Sequence, residues 1–126
     1  MAKVSKESAT QGGDYGPVED HSEEVDGYTV GFTTFRQDFD TRPLLKGLPE
    51  DRCQCPHWGY VIKGRFTFDL DGAEETFEAG DAFYLPPGHA PVGHEPGSEM
   101  VQFSPSGDLR KTSQAIQKNM QSMQAG

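Results

Sequence analysis

The segment Cys53-Gln54-Cys55-Pro56-His57 carries three metal-ligating side chains at alternate positions. Side chains at positions i, i+2 and i+4 of an extended strand lie on the same face. Cys53, Cys55 and His57 are therefore predicted to form a row of two thiols and one imidazole, which are soft or borderline ligands for a metal ion. The simpler alternative is that they are two small buried hydrophobic residues and one hydrogen-bonded histidine.

Two more histidines follow this row along the chain. His89 comes directly after the turn Pro86-Pro87-Gly88, and His94 precedes Glu95. Either imidazole can complete a metal site, and each can equally be a surface residue. The candidate metal ligands are therefore Cys53, Cys55, His57, His89 and His94.

A cysteine nucleophile is the weaker chemical alternative. It requires a thiol with a lowered pKa, and only Arg52 and His57 stand close enough in sequence to lower it. A third group that would orient the base is missing, apart from Asp51. The sequence therefore assigns no catalytic residue.

The elements around these residues are predicted to be strands. From residue 52 to residue 104, short β-branched and aromatic runs alternate with glycine and proline turns. The Asp71-Gly72 pair is typical of a hairpin turn. This pattern predicts an all-β sandwich or barrel over residues 27–106.

The two ends of the chain differ from this central part. Residues 1–26 contain seven acidic residues, two lysines and few apolar residues, so we expect a disordered acidic tail. Residues 107–126 are predicted to form a short C-terminal helix, because Leu109, Ile116, Met120 and Met123 recur at helical spacing.

Charge and cysteine content exclude several classes of partner. The net charge is −9 without a basic face, which disfavours binding to nucleic acid or to an anionic membrane surface. No apolar run is long enough to span a bilayer. Two cysteines one residue apart do not form an extracellular disulfide framework, so we expect a reducing, cytoplasmic setting.

Two motifs within residues 51–94 give the chain a resemblance to a small single-domain cupin. His57, six residues and Gly64 reproduce the spacing that ends the first motif of that family. Gly80, five residues, Pro86, one residue and Gly88 match the second motif without a gap. The resemblance implies a double-stranded β-helix, or jelly-roll barrel, with one pocket, and it implies a homodimer.

The ligand positions depart from the usual cupin pattern. Carried over by spacing, the two histidines of the first motif fall on Asp51 and Cys53, and its glutamate falls on His57. The histidine of the second motif falls on Pro91. Thiolate and imidazole ligands favour zinc, with copper, iron or nickel as alternatives, and nothing implies an organic cofactor.

The leading prediction for function is a small-molecule enzyme that uses one divalent metal in its pocket. Oxygenase, isomerase and lyase reactions all occur on this fold, and the fold does not choose among them. The alternatives are a non-catalytic small-molecule-binding cupin and a cupin that senses metal or redox state through its cysteines. The aromatic residues predicted to line the substrate pocket are Phe66, Phe68, Phe83 and Tyr84.

Overall fold

A computed structural model describes residues 3–37 and 42–125 of the chain. Within these residues the fold consists of nine β-strands in two antiparallel sheets, two short 3-10 helices (Arg42–Leu45 and Pro49–Asp51) between the third and fourth strands, and one α-helix at the end. The strands are β1 (Gln11–Asp14), β2 (Val18–Val25), β3 (Tyr28–Phe35), β4 (His57–Lys63), β5 (Arg65–Leu70), β6 (Ala73–Glu78), β7 (Ala82–Leu85), β8 (His89–His94) and β9 (Ser98–Pro105). The helix is α1 (Ser106–Ala125).

The strands form a larger and a smaller sheet. The six-stranded sheet has the order β1-β2-β3-β9-β4-β7, and the three-stranded sheet has the order β6-β5-β8. Asp71 and Gly72 both have positive φ angles, 58° and 88°, as a tight hairpin turn between β5 and β6 requires. The predicted turn is therefore confirmed.

The hydrophobic core lies between the two sheets. It forms because alternate side chains of a strand point to the same face, and the side chains on the faces that meet between the sheets are apolar. Val61 and Leu85 have no exposed surface. The buried members of the core are Val61, Phe66, Phe68, Phe77, Phe83, Leu85 and Met100.

The N-terminal region differs from the sequence prediction. Residues 11–25 were expected to lie in a disordered tail, but they form β1 and β2 and extend the larger sheet beyond β3. Strand pairing is made by main-chain hydrogen bonds, which every residue type except proline can form, so an acidic composition does not prevent it. The ordered sheet therefore begins before residue 27.

The helix α1 closes one end of the structure. It follows β9 directly, and its residues Leu109 and Ile116 pack against the buried cluster of Leu45, Cys53 and Cys55. The Asn119 side-chain amide donates hydrogen bonds to the carbonyl oxygens of Leu44 and Lys46 at 2.7 and 2.9 Å. In the part of the chain that the structure describes, no helix has both the length and the apolar character needed to cross a membrane.

Candidate metal site

Three of the predicted ligands converge at one buried point. The ligand atoms of Cys53, His57 and His89 all lie within 4.8 Å of one another. Their side chains are 5%, 5% and 3% exposed, respectively. A thiol and two imidazoles at this separation are a suitable donor set for one transition-metal ion.

Main-chain pairing places Cys53 beside His89. The Cys53 N–H donates to the His89 carbonyl oxygen at 3.1 Å, and the Gly88 N–H donates to the Cys53 carbonyl oxygen at 2.8 Å. The two residues form an isolated β-bridge. His57 is the first residue of β4, so the site joins the starts of β4 and β8 to the segment before β4.

The orientation of the His89 ring follows from its hydrogen bond. Its Nδ1 lies 2.8 Å from the carbonyl oxygen of Pro86. A carbonyl oxygen can only accept, so Nδ1 carries the proton and donates it. The other ring nitrogen, Nε2, is then left with the lone pair that a metal needs.

His57 is held in a similar way. Its Nδ1 lies 2.6 Å from Ser104 Oγ, and its Nε2 lies 3.6 Å from Cys53 Sγ. The His57 and His89 rings meet edge to face, with centroids 5.0 Å apart. A hydrogen bond on the nitrogen away from the site is the usual support for a metal-bound histidine.

Burial controls the charge of all four ionisable groups around the site. It lowers the pKa of His57 to about 3, with the nearby His89 adding to the effect, and it also lowers the pKa of His89. Burial raises the pKa of Cys53, and burial and the neighbouring Cys53 raise the pKa of Cys55 to about 12. The imidazoles are therefore neutral, as metal ligands must be, and the thiol must lose a proton when a metal binds.

The helix α1 covers the site. Thr112 of this helix is buried, and its hydroxyl oxygen lies 3.4 Å from Cys53 Sγ. A surface cleft of about 430 Å³ runs beside Arg52 and Asp69, but none of Cys53, His57 and His89 lines it. In this conformation the three ligands are shielded from water.

Two of the predicted ligands do not join this group. Cys55 is buried in the same cluster, but its thiol faces the Pro56 carbonyl oxygen at 3.4 Å. The chain bends at Cys55, and β4 starts only at His57, so the alternation of an extended strand does not apply to this row. His94 lies at the far end of β8 from His89, about 16 Å away along an extended strand, and its Nε2 faces the Gln37 carbonyl oxygen at 2.7 Å.

The predicted pocket aromatics divide between two faces. Phe66, Phe68 and Phe83 lie in the core between the sheets. Tyr84 is 43% exposed on the opposite side of β7 from Phe83. Consecutive residues of a strand point to opposite faces, so Tyr84 does not line the interior together with Phe83.

Ser104 and Thr112 are site residues that the sequence analysis did not identify. On β9, Ser104 follows Gln102 by two residues and the buried Met100 by four. Alternation along the strand therefore turns Ser104 inward, as it does Met100. Thr112 lies three residues after Leu109 and four before Ile116, on the apolar stripe of α1. Both residues recur at the spacing of the buried residues of their own strand or helix. That spacing predicts that they pack in the interior, and it does not predict contact with a metal ligand.

Comparison with known proteins supports the fold. The family model described as Cupin domain matches residues 53–101. An RmlC-like cupin from Shewanella frigidimarina is 19% identical, with a TM-score of 0.57 over 83% of this chain and 91% of the other. A structural genomics protein of unknown function from Rhizobium leguminosarum gives the same identity, 19%, and the same TM-score, 0.57, over 82% of this chain and 95% of the other.

A third solved structure has a similar fold at lower sequence identity. The polyketide cyclase RemF from Streptomyces resistomycificus is 14% identical, with a TM-score of 0.55 over 83% of this chain and 79% of the other. No curated protein sequence matches the chain significantly. The predicted all-β jelly-roll fold with a C-terminal helix is confirmed by these matches and by the two-sheet architecture.

Proposed function

We propose that this chain, whose residues 53–101 match the Cupin domain model and whose fold is that of a cupin, binds one divalent metal ion and uses it in chemistry on a small molecule. Cys53 Sγ and the Nε2 atoms of His57 and His89 would hold the ion. The observation that carries the proposal is the convergence of these three ligand groups within 4.8 Å at a buried point.

The donor set favours zinc among the candidate metals. Two imidazoles and one thiolate are borderline-soft ligands, and zinc in enzymes is held by three protein ligands with a fourth position left for water or substrate. Copper, iron and nickel also accept nitrogen and sulfur ligands. The bound ion would supply Lewis-acid or redox chemistry to a small molecule at its open position.

The protein contributes orientation and a dry environment. Ser104 holds His57 with its Nε2 toward Cys53, and the Pro86 carbonyl oxygen binds Nδ1 of His89, which leaves Nε2 of that ring for a metal. The Thr112 hydroxyl supports the Cys53 sulfur, and the apolar residues of α1 exclude water from it. Exclusion of water strengthens every electrostatic interaction within the site.

Metal content is the first test of the proposal. Protein purified without a metal-affinity tag should contain about one equivalent of metal by elemental mass spectrometry. Alanine variants of Cys53, His57 and His89 should lose the metal, while Cys55→Ala and His94→Ala are matched controls that should keep it. No metal after anaerobic reconstitution of folded protein would overturn the proposal.

Access of a small molecule to the ion is the second test. The cobalt-substituted protein should change its visible spectrum when azide is added, because azide takes an open coordination position. The variant Asn119→Ala, which loosens α1, should bind azide faster. A spectrum that azide does not alter, in the parent protein and in the variant, would exclude catalysis at the metal.

Sensing of metal or redox state is the second candidate function. The observation that favours it is the near-complete burial of all three ligands, with the second thiol of Cys55 in the same cluster. Mild peroxide should then release the metal, a thiol reductant should restore its binding, and Cys55→Ala should abolish that restoration. Irreversible loss of metal would contradict a sensor.

We also infer that the protein works in a reducing compartment such as the cytoplasm. Both cysteines are free thiols, and oxidation of Cys53 would remove one of the three metal ligands. Loss of metal from purified protein under oxidising but not under reducing buffer would support this setting. Equal retention under both conditions would remove the argument for it.

A further inference from the structure

The surface cleft beside Arg52 combines both signs of charge with apolar side chains. It lies between residues 42–52 and strand β8, and its volume of about 430 Å³ is that of a small-molecule site. The chain as a whole contains 20 acidic and 11 basic residues, whereas the cleft is lined by equal numbers of each. The basic residues are Arg42, Lys46 and Arg52, and the acidic residues are Glu50, Asp51 and Asp69.

The two walls of the cleft are fixed to each other. Arg52 donates hydrogen bonds to Asp69 Oδ2 at 2.8 Å and to the Gly88 carbonyl oxygen at 3.0 Å, and so ties residues 42–52 to β5 and to the turn before β8. Asn119 of α1 donates two hydrogen bonds to the main chain of the same segment. A preformed cleft loses little conformational entropy when a ligand binds.

Two of the charged side chains in the lining have no internal partner. Among all the described residues, none forms an ion pair with the Lys46 ammonium or with the Glu50 carboxylate. Lys46 follows Arg42 by four residues, and Glu50 directly precedes Asp51, so the cations and the anions form separate groups along the segment. A ligand that carries both a negative and a positive charge can therefore contact both groups.

The backbone at Glu50 and Asp51 independently indicates a ligand site. Both residues have positive φ angles, 57° and 55°, which are unfavourable for a residue with a Cβ. The other non-glycine residues with positive φ in the described ranges, Asp26 and Asp71, lie in hairpin turns that favour this conformation. Glu50 and Asp51 lie instead in the short helix Pro49–Asp51. Unfavourable backbone conformations of this kind are concentrated at functional sites.

We propose that the cleft binds a free amino acid with an apolar side chain. Its carboxylate would contact Lys46 and Arg42, its ammonium group would contact Glu50 and Asp51, and its side chain would lie against the apolar residues of β8. An amino acid carries both charges on one carbon atom, which matches a lining with both signs. A simple anion or a simple cation would leave one group of like charges beside it.

The cleft and the metal site lie on opposite sides of the same two segments. Arg52 precedes Cys53 in an extended conformation, and Ala90 follows His89 on β8. Adjacent residues of an extended chain point to opposite sides, so Arg52 and Ala90 face the cleft while Cys53 and His89 face inward. The proposal therefore uses none of the metal ligands, and chelator-treated protein should bind the amino acid as the untreated protein does.

Titration with L-leucine tests the proposal. In nitrogen-15-labelled full-length protein, leucine should shift the amide NMR signals of Ala90 and Val92, with saturation at about millimolar concentration, as a few exposed charge contacts allow. The analogue 4-methylpentanoate lacks only the amino group, and 3-methylbutylamine lacks only the carboxylate. Each should bind about fivefold more weakly or less. Equal binding of leucine and either analogue, or no shift with leucine, would overturn the proposal.

Substitutions in the lining provide a second measurement. Lys46→Met and Glu50→Gln should each weaken leucine binding about fivefold or more. The matched controls are Lys111→Met on α1 and Glu75→Gln on β6, which remove the same charges at exposed positions outside the cleft. Both controls should bind leucine as the wild type does. A Lys46→Met or Glu50→Gln protein that binds leucine as tightly as its control would overturn the proposal.

Discussion

The Ser104 hydroxyl oxygen lies 2.6 Å from His57 Nδ1, on the side of the ring opposite the nitrogen that faces Cys53. This contact joins β9 to the first residue of β4 and orients a ligand without occupying a ligand position. It also gives the imidazole a partner for the proton that Nδ1 carries when Nε2 binds a metal.

Replacing this hydroxyl should weaken metal binding without unfolding the protein. We expect Ser104→Ala to lower zinc affinity about 10- to 100-fold, the range found when such supporting partners are removed. Competition with a chromogenic chelator measures the change. Ser106→Ala is the control, since Ser106 is equally buried but contacts Thr29 instead of a ligand. Equal zinc affinity in the Ser104 and Ser106 variants would contradict this role.

Two glycines with similar backbone conformations should differ in their tolerance of alanine. Gly64 and Gly72 have φ angles of 76° and 88°. An added Cβ at Gly64 would overlap Ser98 Oγ and lie 2.9 Å from Ser98 Cα, whereas no atom lies within 4 Å of one at Gly72. The Gly64 substitution therefore adds a steric clash to the cost of positive φ.

Urea denaturation should separate these two costs. Gly72→Ala should lower the free energy of unfolding by about 1–2 kcal/mol, the cost of the left-handed conformation for a residue with a Cβ. Gly64→Ala should lower it by about 1–3 kcal/mol more, as overpacking does. Equal losses would show that Ser98 moves aside freely, although its hydroxyl is hydrogen-bonded to the Arg65 main chain.

The sequence predicted the parts of this structure that side-chain alternation and turn residues encode. The hairpin at Asp71-Gly72, the inward side chain of His57 and the helix after residue 106 all follow from local patterns. The strands at residues 11–25 could not be foreseen from composition, since pairing with β3 is made by the main chain.

Only part of the candidate site could be predicted, because several of its contacts join segments that are distant in the sequence. Cys53 and His89 meet through a bridge between distant segments, and Thr112 reaches Cys53 only because α1 folds back over the barrel. Helical spacing places Thr112 on the same face of α1 as Leu109 and Ile116. It does not indicate which residues of the barrel that face contacts. The bend at Cys55 removed one predicted ligand by ending the alternation before Pro56.

Asp20 should lower the stability of the protein as pH rises, whereas most carboxyl groups have the opposite effect. Burial raises the pKa of Asp20 above its ordinary 3.8, although the Thr33 hydroxyl donates to its carboxylate at 3.2 Å. A carboxyl with a raised folded pKa binds its proton more tightly in the folded state than in the unfolded state. Its contribution to stability is therefore lost as pH rises from 3.8 through the raised value.

Asp20→Asn should accordingly raise the free energy of unfolding at neutral pH, and the gain should vanish near pH 3.8. Asp14→Asn is the matched control with the opposite sign. Arg36 beside Asp14, at 2.6 Å, holds the pKa of that carboxyl below its usual value, so the substitution should destabilise at neutral pH. Urea titrations at the two pH values measure both effects. An Asp20→Asn protein less stable than wild type at neutral pH would show that the charged carboxylate is required.

Asn119 should control how often the helix α1 uncovers Cys53. Its side-chain amide donates two hydrogen bonds to the main chain of residues 44 and 46. Each such bond contributes about 0.5–1.5 kcal/mol, so Asn119→Ala should raise the population of the open state about tenfold or more.

In a Cys55→Ser background of chelator-treated protein, Cys53 is the only thiol, and its rate of reaction with a chromogenic disulfide reports this opening. Gln117→Ala, at an exposed position of the same helix, should react at the parent rate. Identical rates for the Asn119 and Gln117 variants would show that reagent reaches Cys53 by a path that does not require α1 to move.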